Sequence, residues 1–564
     1  MSTASHPVPS GIPTTDQGKG WTRLKLDWFD LFGFLVTAAV SFAVIVPLLF
    51  AGRKLTGGDG LYPVDQLQYL SWIRQAADHW LMGNRWDMLP DTRVFLHPAF
   101  LLSGLAVRWF GLPIEYSNLA IWKPVSIVVV FFGCRQYARR LLPAGWPARV
   151  GFILALLLLP PFSSISHRIG SNPKLEYNFD FITTEMWPGQ QLLGYEIAAI
   201  AIFAVPLLLL AVEKVRVGGH KWALAGCSVG ALLVMWLQPW QGVELLVIIA
   251  ATELWRWGRK GVAPYWPLFS MAVLGALPAI YYATIERTDP AWELYGRENR
   301  ANVNPIWDWS IPTLAIALAP LAIPAIISLR NRDDSWQGTA VRFWPVAVAI
   351  AYLQPTGTFP FHAFQGLTIP LSVMAVQAFT VNRPKYLPKP RWWWVLPALF
   401  VLIVPGTAHR FQIAKTTIDH KIFPYEFQPG ERQALAWLNA NPTPGAVLTD
   451  EYAGLLVPAY ARREAYVGTP PLTPEFKSKV GGMNLMMLGY ATPQDSQRYV
   501  KSTGTRFVFE ACASWPVSSP NLMPLIGPLV ERRLKFGCAQ VLVLKPTALS
   551  KRLSPAIGGP GGPP

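Results

Sequence analysis

Charge is scarce in this chain. Of its 564 residues only 15% are Asp, Glu, Lys or Arg, against about 25% in soluble domains. That scarcity excludes intrinsic disorder, which needs charge and little apolar content. Cysteine is scarcer still: four residues, none in a CxxC spacing. This excludes a small disulfide scaffold and leaves a zinc or thioredoxin-like reading without support. A collagen-like repeat is absent too. What the chain has instead is apolar mass: 52% hydrophobic and 13% aromatic residues, with a mean hydropathy of +0.28. Such a composition points to many membrane spans. The formal charge of +16 is compatible with nucleic acid or an anionic lipid surface until the charges are located.

A bilayer core needs about 20 apolar residues per helix. Residues 1–30 are polar and read as a cytoplasmic segment. The run from Leu31 to Phe50 is longer than a signal-peptide core and reads as an uncleaved anchor. Further candidate spans are 117–134, 149–164, 191–212, 222–240, 242–256, 267–285, 310–329, 343–356, 365–382 and 392–407. The stretch 95–113 is the ambiguous one, because counting it inverts every later loop. The distribution of Lys and Arg decides it. With 95–113 interfacial and the N-terminus inside, five inner loops hold 17 Lys/Arg against three acids, and outer segments 51–116, 165–190 and 286–309 hold 11 basic and 14 acidic residues. The expected fold is therefore a polytopic α-helical membrane protein with about 11 transmembrane helices over 31–407. Its first outer loop, 51–116, is long, and its C-terminus lies outside. The inner loops sum to +14 and the outer loops to −3, so most of the basic excess is a topology signal and no nucleic-acid partner is expected.

Past residue 407 the apolar runs stop. GAVLTD (445–450), REAYVG (463–468), TRFVFEA (505–511) and AQVLVLKP (539–546) read as strands, and 430–441 and 492–504 as helices, the latter capped by Thr492. Residues 408–548 thus form a small α/β extracytoplasmic domain, followed by a flexible Gly/Pro tail, 549–564. Cys512 and Cys538 both fall in that domain, where a disulfide is allowed by compartment and stays open.

The first outer loop carries the polar groups that chemistry needs. Asp59 follows two glycines, and Asp65 opens the amphipathic stretch DQLQYLSWIRQAADHWL. Leu67, Leu70, Ile73 and Leu81 share one face, which predicts a helix lying on the membrane surface with Asp65 in its first turn. A helix N-terminus favours a carboxylate there, and Asp65 as a simple cap stays open beside Asp65 as a reactive group. Lys123, Glu196 and Glu244 fall near span ends, where snorkelling is expected.

Several features together resemble a known family. They are the anchor, the outer loop with Asp65-x-x-x-Tyr69-Leu70, the stretch ending Trp109-Phe110-Gly111, the span ending Tyr137-Ala138-Arg139-Arg140, and the runs 364–378 and 455–479. The chain resembles bacterial membrane glycosyltransferases of the GT-C superfamily, related to the dolichyl-phosphate-mannose–protein mannosyltransferases and the aminoarabinose lipid A transferases, in a branch with a C-terminal outer domain. Relatives often pair two acids in the first loop. Here Asp65 follows Val64, and Asp59 lies six residues earlier, so either is a candidate base. The resemblance implies an enzyme that moves a hexosyl or pentosyl group from a polyprenyl-phosphate-linked donor to a glycan, lipid or protein acceptor on the extracytoplasmic face. It also implies inversion at C1 and a plasma (inner) membrane location among membrane lipids, in cell envelope biogenesis.

A hydroxyl is a weak nucleophile, so a carboxylate must take its proton as it attacks C1. Asp65 is the first choice and Asp59 the second. The lipid phosphate leaves readily and needs cationic or hydrogen-bonding partners. Outer-loop candidates are His167, Arg168, Lys174, Arg287, Arg297, Arg300 and His362, with Tyr69 beside the base. Glu176, Asp180 and Glu185 share a loop without metal-loop spacing, so neither a metal nor another cofactor is expected. The alternative function is a transporter or lipid flippase with an accessory outer domain. It should show broken helices in matched halves, and the sequence displays no internal repeat.

Overall fold

The computed structural model describes residues 26–546 apart from 61–62, 90–91, 157–185, 219–220, 302–310, 331–332, 354–359, 382, 384–389, 513–520 and a scatter of positions between 392 and 424. The chain is chiefly helical. In order come α1 (Trp28–Ser41), α2 (Ile45–Phe50), α3 (Pro63–Asp78), α4 (Pro98–Phe110), α5 (Lys123–Leu141), α6 (Trp146–Ala155), α7 (Glu196–Gly218), α8 (Lys221–Leu237), α9 (Pro239–Lys260), α10 (Phe269–Thr288), α11 (Pro290–Ala301), α12 (Ile311–Ser328), α13 (Trp336–Tyr352) and α14 (Thr368–Phe379). The C-terminal region adds α15 (Pro429–Ala440), β1 (Val447–Leu448), α16 (Glu451–Leu456), α17 (Phe476–Met487), α18 (Pro493–Thr503), β2 (Phe507–Glu510), β3 (Val530–Phe536) and β4 (Ala539–Leu544).

The expected spans meet the structure in three ways. Ile114–Leu141, Glu196–Gly218 and Trp266–Thr288, of 28, 23 and 23 residues, are long and apolar enough to cross a bilayer. Three is the number that length and composition establish among the described residues. Other expected spans become shorter or interrupted helices. The 31–50 segment divides into α1 and α2, α8 and α13 have 17 residues each, and α14 has 12. The last turns of α9 carry Glu253, Arg256, Arg259 and Lys260. Much of 157–164 and 392–407 lies outside the described residues. The ambiguous stretch 95–113 holds only the 13-residue α4, about 20 Å of helix, well short of the roughly 30 Å hydrocarbon core.

Two apolar cores organise the described chain. The first is built by α5, α6, α7, α8, α9, α13 and α14, with Phe131, Tyr137, Phe203 and Trp344 fully buried within it. The second draws Leu67, Leu70, Trp72 and Ile73 of α3 and Phe100 of α4 together with Leu435, Val447, Leu456, Phe507, Phe509 and Val541. The sequence places a domain boundary at 408, yet this core takes side chains from both sides of it. The surface-helix expectation for α3 is corrected accordingly. Its face of Leu67, Leu70 and Ile73 is buried against α4, α16 and the turn at 457–461, so protein covers it rather than lipid. Leu81 lies beyond the helix end at Asp78.

Polar bonds fasten the same union. The Phe427 N–H donates to the Lys54 carbonyl at 2.7 Å and the Thr56 N–H to the Tyr425 carbonyl at 3.1 Å. Asn84 Nδ2 donates to the Leu472 carbonyl at 2.7 Å, and Trp86 Nε1 donates to the Gly454 carbonyl at 2.9 Å. Arg53 pairs with Glu426 at 2.8 Å and Arg432 with Glu115 at 3.0 Å.

The sheet has the order β1-β2-β4-β3, with β1 parallel to β2 and the other pairs antiparallel. The expected strands at 445–450, 505–511 and 539–546 are present. The expected strand at 463–468 amounts to a single bridge, Ala465 with Val447. It follows directly on Arg462, whose backbone is left-handed at φ 55°. Cys512 and Cys538 form a disulfide with a Cα–Cα distance of 5.0 Å. They continue the β2–β4 register beyond the Glu510–Gln540 pair.

Candidate active site

The site is assembled where the 51–116 segment meets the beginnings of α5 and α7. Pro63 starts α3, and Asp65 stands in its first turn, where the helix N-terminus stabilises negative charge. Asp65 is half-buried and accepts a short hydrogen bond from the Tyr195 hydroxyl. Tyr69, one turn further along α3, lies 5.1 Å from the ring of Phe100 and stacks on Trp72 at 6.1 Å. Burial pushes the Tyr69 phenol well above its usual range, and the charges of Asp65, Tyr295 and Glu196 add to the effect. It therefore stays protonated and able to donate a hydrogen bond. Tyr295 belongs to α11, which is anchored to the same place through Trp292, 4.2 Å from Phe95 and stacked on Trp72 at 5.9 Å.

Asp59 occupies a different environment. It is 2% exposed, and its Oδ2 lies 3.2 Å from Lys123 Nζ. Its own N–H donates to Gln66 Oε1 at 2.9 Å, and Gln66 Nε2 donates back to Asp59 Oδ1. Lys123 Nζ also lies 2.8 Å from Glu196 Oε1 and donates to the carbonyls of Ser41 at 3.1 Å and Leu192 at 3.4 Å. Gln66 Nε2 reaches Glu196 Oε2 at 3.4 Å. The loop must come close to make these contacts. A Cβ on Gly60 would sit 2.0 Å from the Leu193 carbonyl oxygen, which only glycine avoids. Both Asp59 oxygens are thus engaged by buried donors, whereas Asp65 faces partly outward.

The snorkelling expected of Lys123, Glu196 and Glu244 is corrected by this geometry. Their side chains or whole residues are 0%, 3% and 0% exposed. Partners inside the protein replace the water they would otherwise seek. Glu244 accepts from Trp344 Nε1 at 3.2 Å and Gln241 Nε2 at 3.5 Å.

The cationic candidates are dispersed. His167, Arg168 and Lys174 lie outside the described residues. Arg287 is exposed near the end of α10. Arg297 lies 3.8 Å from Glu298, and Arg300 pairs with Glu286 at 2.5 Å. Both arginines ride on α11, the helix that carries Tyr295 towards Tyr69. His362 is half-buried elsewhere. Its Nδ1 lies 2.9 Å from Gln365 Nε2, its ring is edge-on to Trp240 at 5.0 Å, and its carbonyl accepts from Gln241 Nε2 at 2.9 Å. Among the described residues no group of three or more His, Cys, Asp or Glu is placed to hold a metal ion.

Sequence reasoning overlooked Gln66, Tyr195 and Tyr295. A polar Tyr-Glu pair immediately before the long apolar run of α7 was the available signal for Tyr195.

No protein-family model matches the chain, and no curated protein sequence matches it. Solved structures do. The oligosaccharyltransferase of Archaeoglobus fulgidus, tethered to an acceptor peptide with an NVT sequon, aligns with a TM-score of 0.50 at 12% identity, over 86% of this chain and 69% of that one. ArnT from Cupriavidus metallidurans aligns at 0.45 and 11% identity over 93% and 99% of the two chains. The mycobacterial arabinofuranosyltransferase AftD aligns at 0.49 and 13% identity over 92% and 42%. At such identity the archaeal likeness establishes a shared fold.

Proposed function

We propose that the chain is an integral-membrane glycosyltransferase that moves a sugar from a polyprenyl-phosphate donor to an acceptor hydroxyl or amide on the extracytoplasmic face. Asp65 serves as general base. The observation that carries this reading is the contrast between the two first-loop acids. Asp65 is half-exposed, at a helix N-terminus and oriented by Tyr195, while Asp59 is sealed behind Lys123 and Gln66. The fold shared with an oligosaccharyltransferase supports glycosyl transfer as the class of reaction.

In the proposed step the acceptor attacks C1 of the sugar as Asp65 removes its proton. The C1–oxygen bond to the phosphate breaks, and its electron pair leaves with the polyprenyl phosphate. A single displacement inverts C1. Tyr69 and Tyr195 supply hydroxyls beside the carboxylate. The leaving phosphate requires cations, for which Arg287, Arg297, Arg300 and His362 are the described candidates and His167, Arg168 and Lys174 the remaining ones. The basic inner loops support a cytoplasmic N-terminus and an outward C-terminal region in the plasma membrane.

The test is release of polyprenyl phosphate from labelled polyprenyl-phosphate donors carrying mannose, arabinose, galactose or glucose, using the full chain in liposomes with a membrane-lipid extract as acceptor. Asp65→Asn is expected to lower kcat by about 100- to 10,000-fold, the range for losing a general base. Full activity in Asp65→Asn overturns the base assignment. Absence of release by the wild type from all four donors overturns the glycosyltransferase reading.

A further inference from the structure

We propose that Lys123 is the positioning residue of the site, holding Asp65 in place through two parallel links between α3 and the start of α7; this rests on the reading of Asp65 as base. The argument begins with two pairs of consecutive residues. Asp65 and Gln66 are neighbours on α3, and Tyr195 and Glu196 are neighbours where α7 begins. Asp65 is bonded to Tyr195, and Gln66 to Glu196. In each pair the first side chain is half-buried and the second buried, so one faces the open site and the other the interior.

Lys123 fixes the interior side chains. Its ammonium contacts Glu196 at 2.8 Å and Asp59 at 3.2 Å. Asp59 in turn exchanges two hydrogen bonds with Gln66. Two further bonds, to the Ser41 and Leu192 carbonyls, bring α1 and the turn before α7 to the same nitrogen. The lysine is 0% exposed, so water does not compete for these contacts. Its three protons face four oxygens, so none of its donors is left unpaired inside the protein. The links determine how α3 is seated, and with it where the Asp65 carboxylate points. Lys123 itself touches no reacting atom. The group it orders joins one ammonium to two carboxyl groups, all of them buried beneath the reactive carboxylate.

The test is made on the full chain in liposomes with the labelled donors named above. A variant that neutralises the whole group, Asp59→Asn with Lys123→Met and Glu196→Gln, leaves no uncompensated buried charge. It is expected to fold, to keep the wild-type KM for donor and to lose about 10- to 100-fold in kcat, as a displaced catalytic group does. Lys123→Arg alone, with Asp59 and Glu196 kept, is expected to retain most of the wild-type kcat. Tyr195→Phe added to the neutralised variant is expected to cost much less than Tyr195→Phe alone, since both act on the same carboxylate. A merely structural role predicts additive losses. Wild-type kcat in the folded neutralised variant overturns the proposal, and so does additivity with Tyr195→Phe. If the neutralised variant does not fold, Gln66→Met cuts the same link, and wild-type kcat there is equally fatal. Asp65→Asn separates the two readings: if it is fully active, the base assignment has failed, whereas if it is inactive beside an unimpaired neutralised variant, only the role of Lys123 has.

Discussion

The two ends of α5 carry charge in opposite ways. At its first residue, Lys123 is buried among two carboxylates and two carbonyls. In its last turns, Arg135 and Arg139 join Asp27, Asp30 and Arg149 in a network that opens gradually to the surface. Arg135 grips Asp30 with two bonds of 2.7 and 2.6 Å and both are nearly buried, but Arg139 and Asp27 are 37% and 40% exposed. Arg149 is spread over three aromatic rings, Trp28, Phe29 and Trp146, at 4.9–5.4 Å, and contributes a 3.3 Å pair with Asp27. The Lys123 cluster joins one cation to two carboxyl groups, the Arg135 cluster three cations to two. The difference separates two uses of charge. Exposed pairs are nearly neutral in energy and mark sidedness. A buried set is costly to break and holds its members in one geometry.

That contrast is open to direct attack. The largest effect is expected from Lys123→Met, which strands two buried carboxylates and should cost about 3–5 kcal/mol, read as a fall in melting temperature in detergent. A loss no larger than that of an Arg135-network variant would erase the distinction. Next comes the disulfide of the C-terminal region. Cys512 and Cys538 close a loop with a sequence separation of 26, and chain entropy assigns such a closure about 3–4 kcal/mol. Cys512→Ser with Cys538→Ser should lower the melting temperature, and reductant should reproduce the shift in the wild type only.

A third prediction uses pH. His97 immediately precedes α4, its ring tilted against Phe100 at 4.3 Å, and burial pulls its imidazole from 6.5 down to about 4. The unfolded chain therefore binds a proton that the folded one refuses. Stability from this group is complete above pH 6.5 and falls as pH drops from 6.5 towards 4, by about 3 kcal/mol in all. His97→Gln should flatten that acid slope in detergent melts. An unchanged slope would show that other groups set it.

How much of this was legible beforehand depended on the distance over which a signal acts. Local patterns spoke clearly. Thr492 caps α18 by accepting from the Asp495 N–H at 3.2 Å, and the apolar runs at 507–510 and 541–544 became the central strands. The edge strand β3, ValGluArgArgLeuLysPhe, went unread because charges on its exposed positions hide the alternation, as edge strands often do. The first outer loop and the C-terminal region share a core although Trp86 and Gly454 are separated by 368 positions, and no periodicity reports such a contact. Asp65 was visible through its helix start. Tyr195, Gln66 and the buried role of Lys123 were not, because each matters only through residues brought together by the fold.

The smallest expected effect sharpens the comparison from the Arg135 side. Arg149→Met removes one exposed ion pair and a cation held over three rings. The pair is worth about 0–1 kcal/mol where solvent reaches it, and the ring contacts about 0.5–1 kcal/mol at such a site. The methionine stem keeps part of the packing against Trp28 and Trp146. The melting temperature should move by a small fraction of the Lys123→Met shift, and the residual shift should shrink in high salt, which screens Asp27 and Arg149 but not a buried triad. A large, salt-independent loss would mean that the Arg135 network is held as rigidly as the Lys123 group. Charge at that end of α5 would then be fixing geometry as well as sidedness.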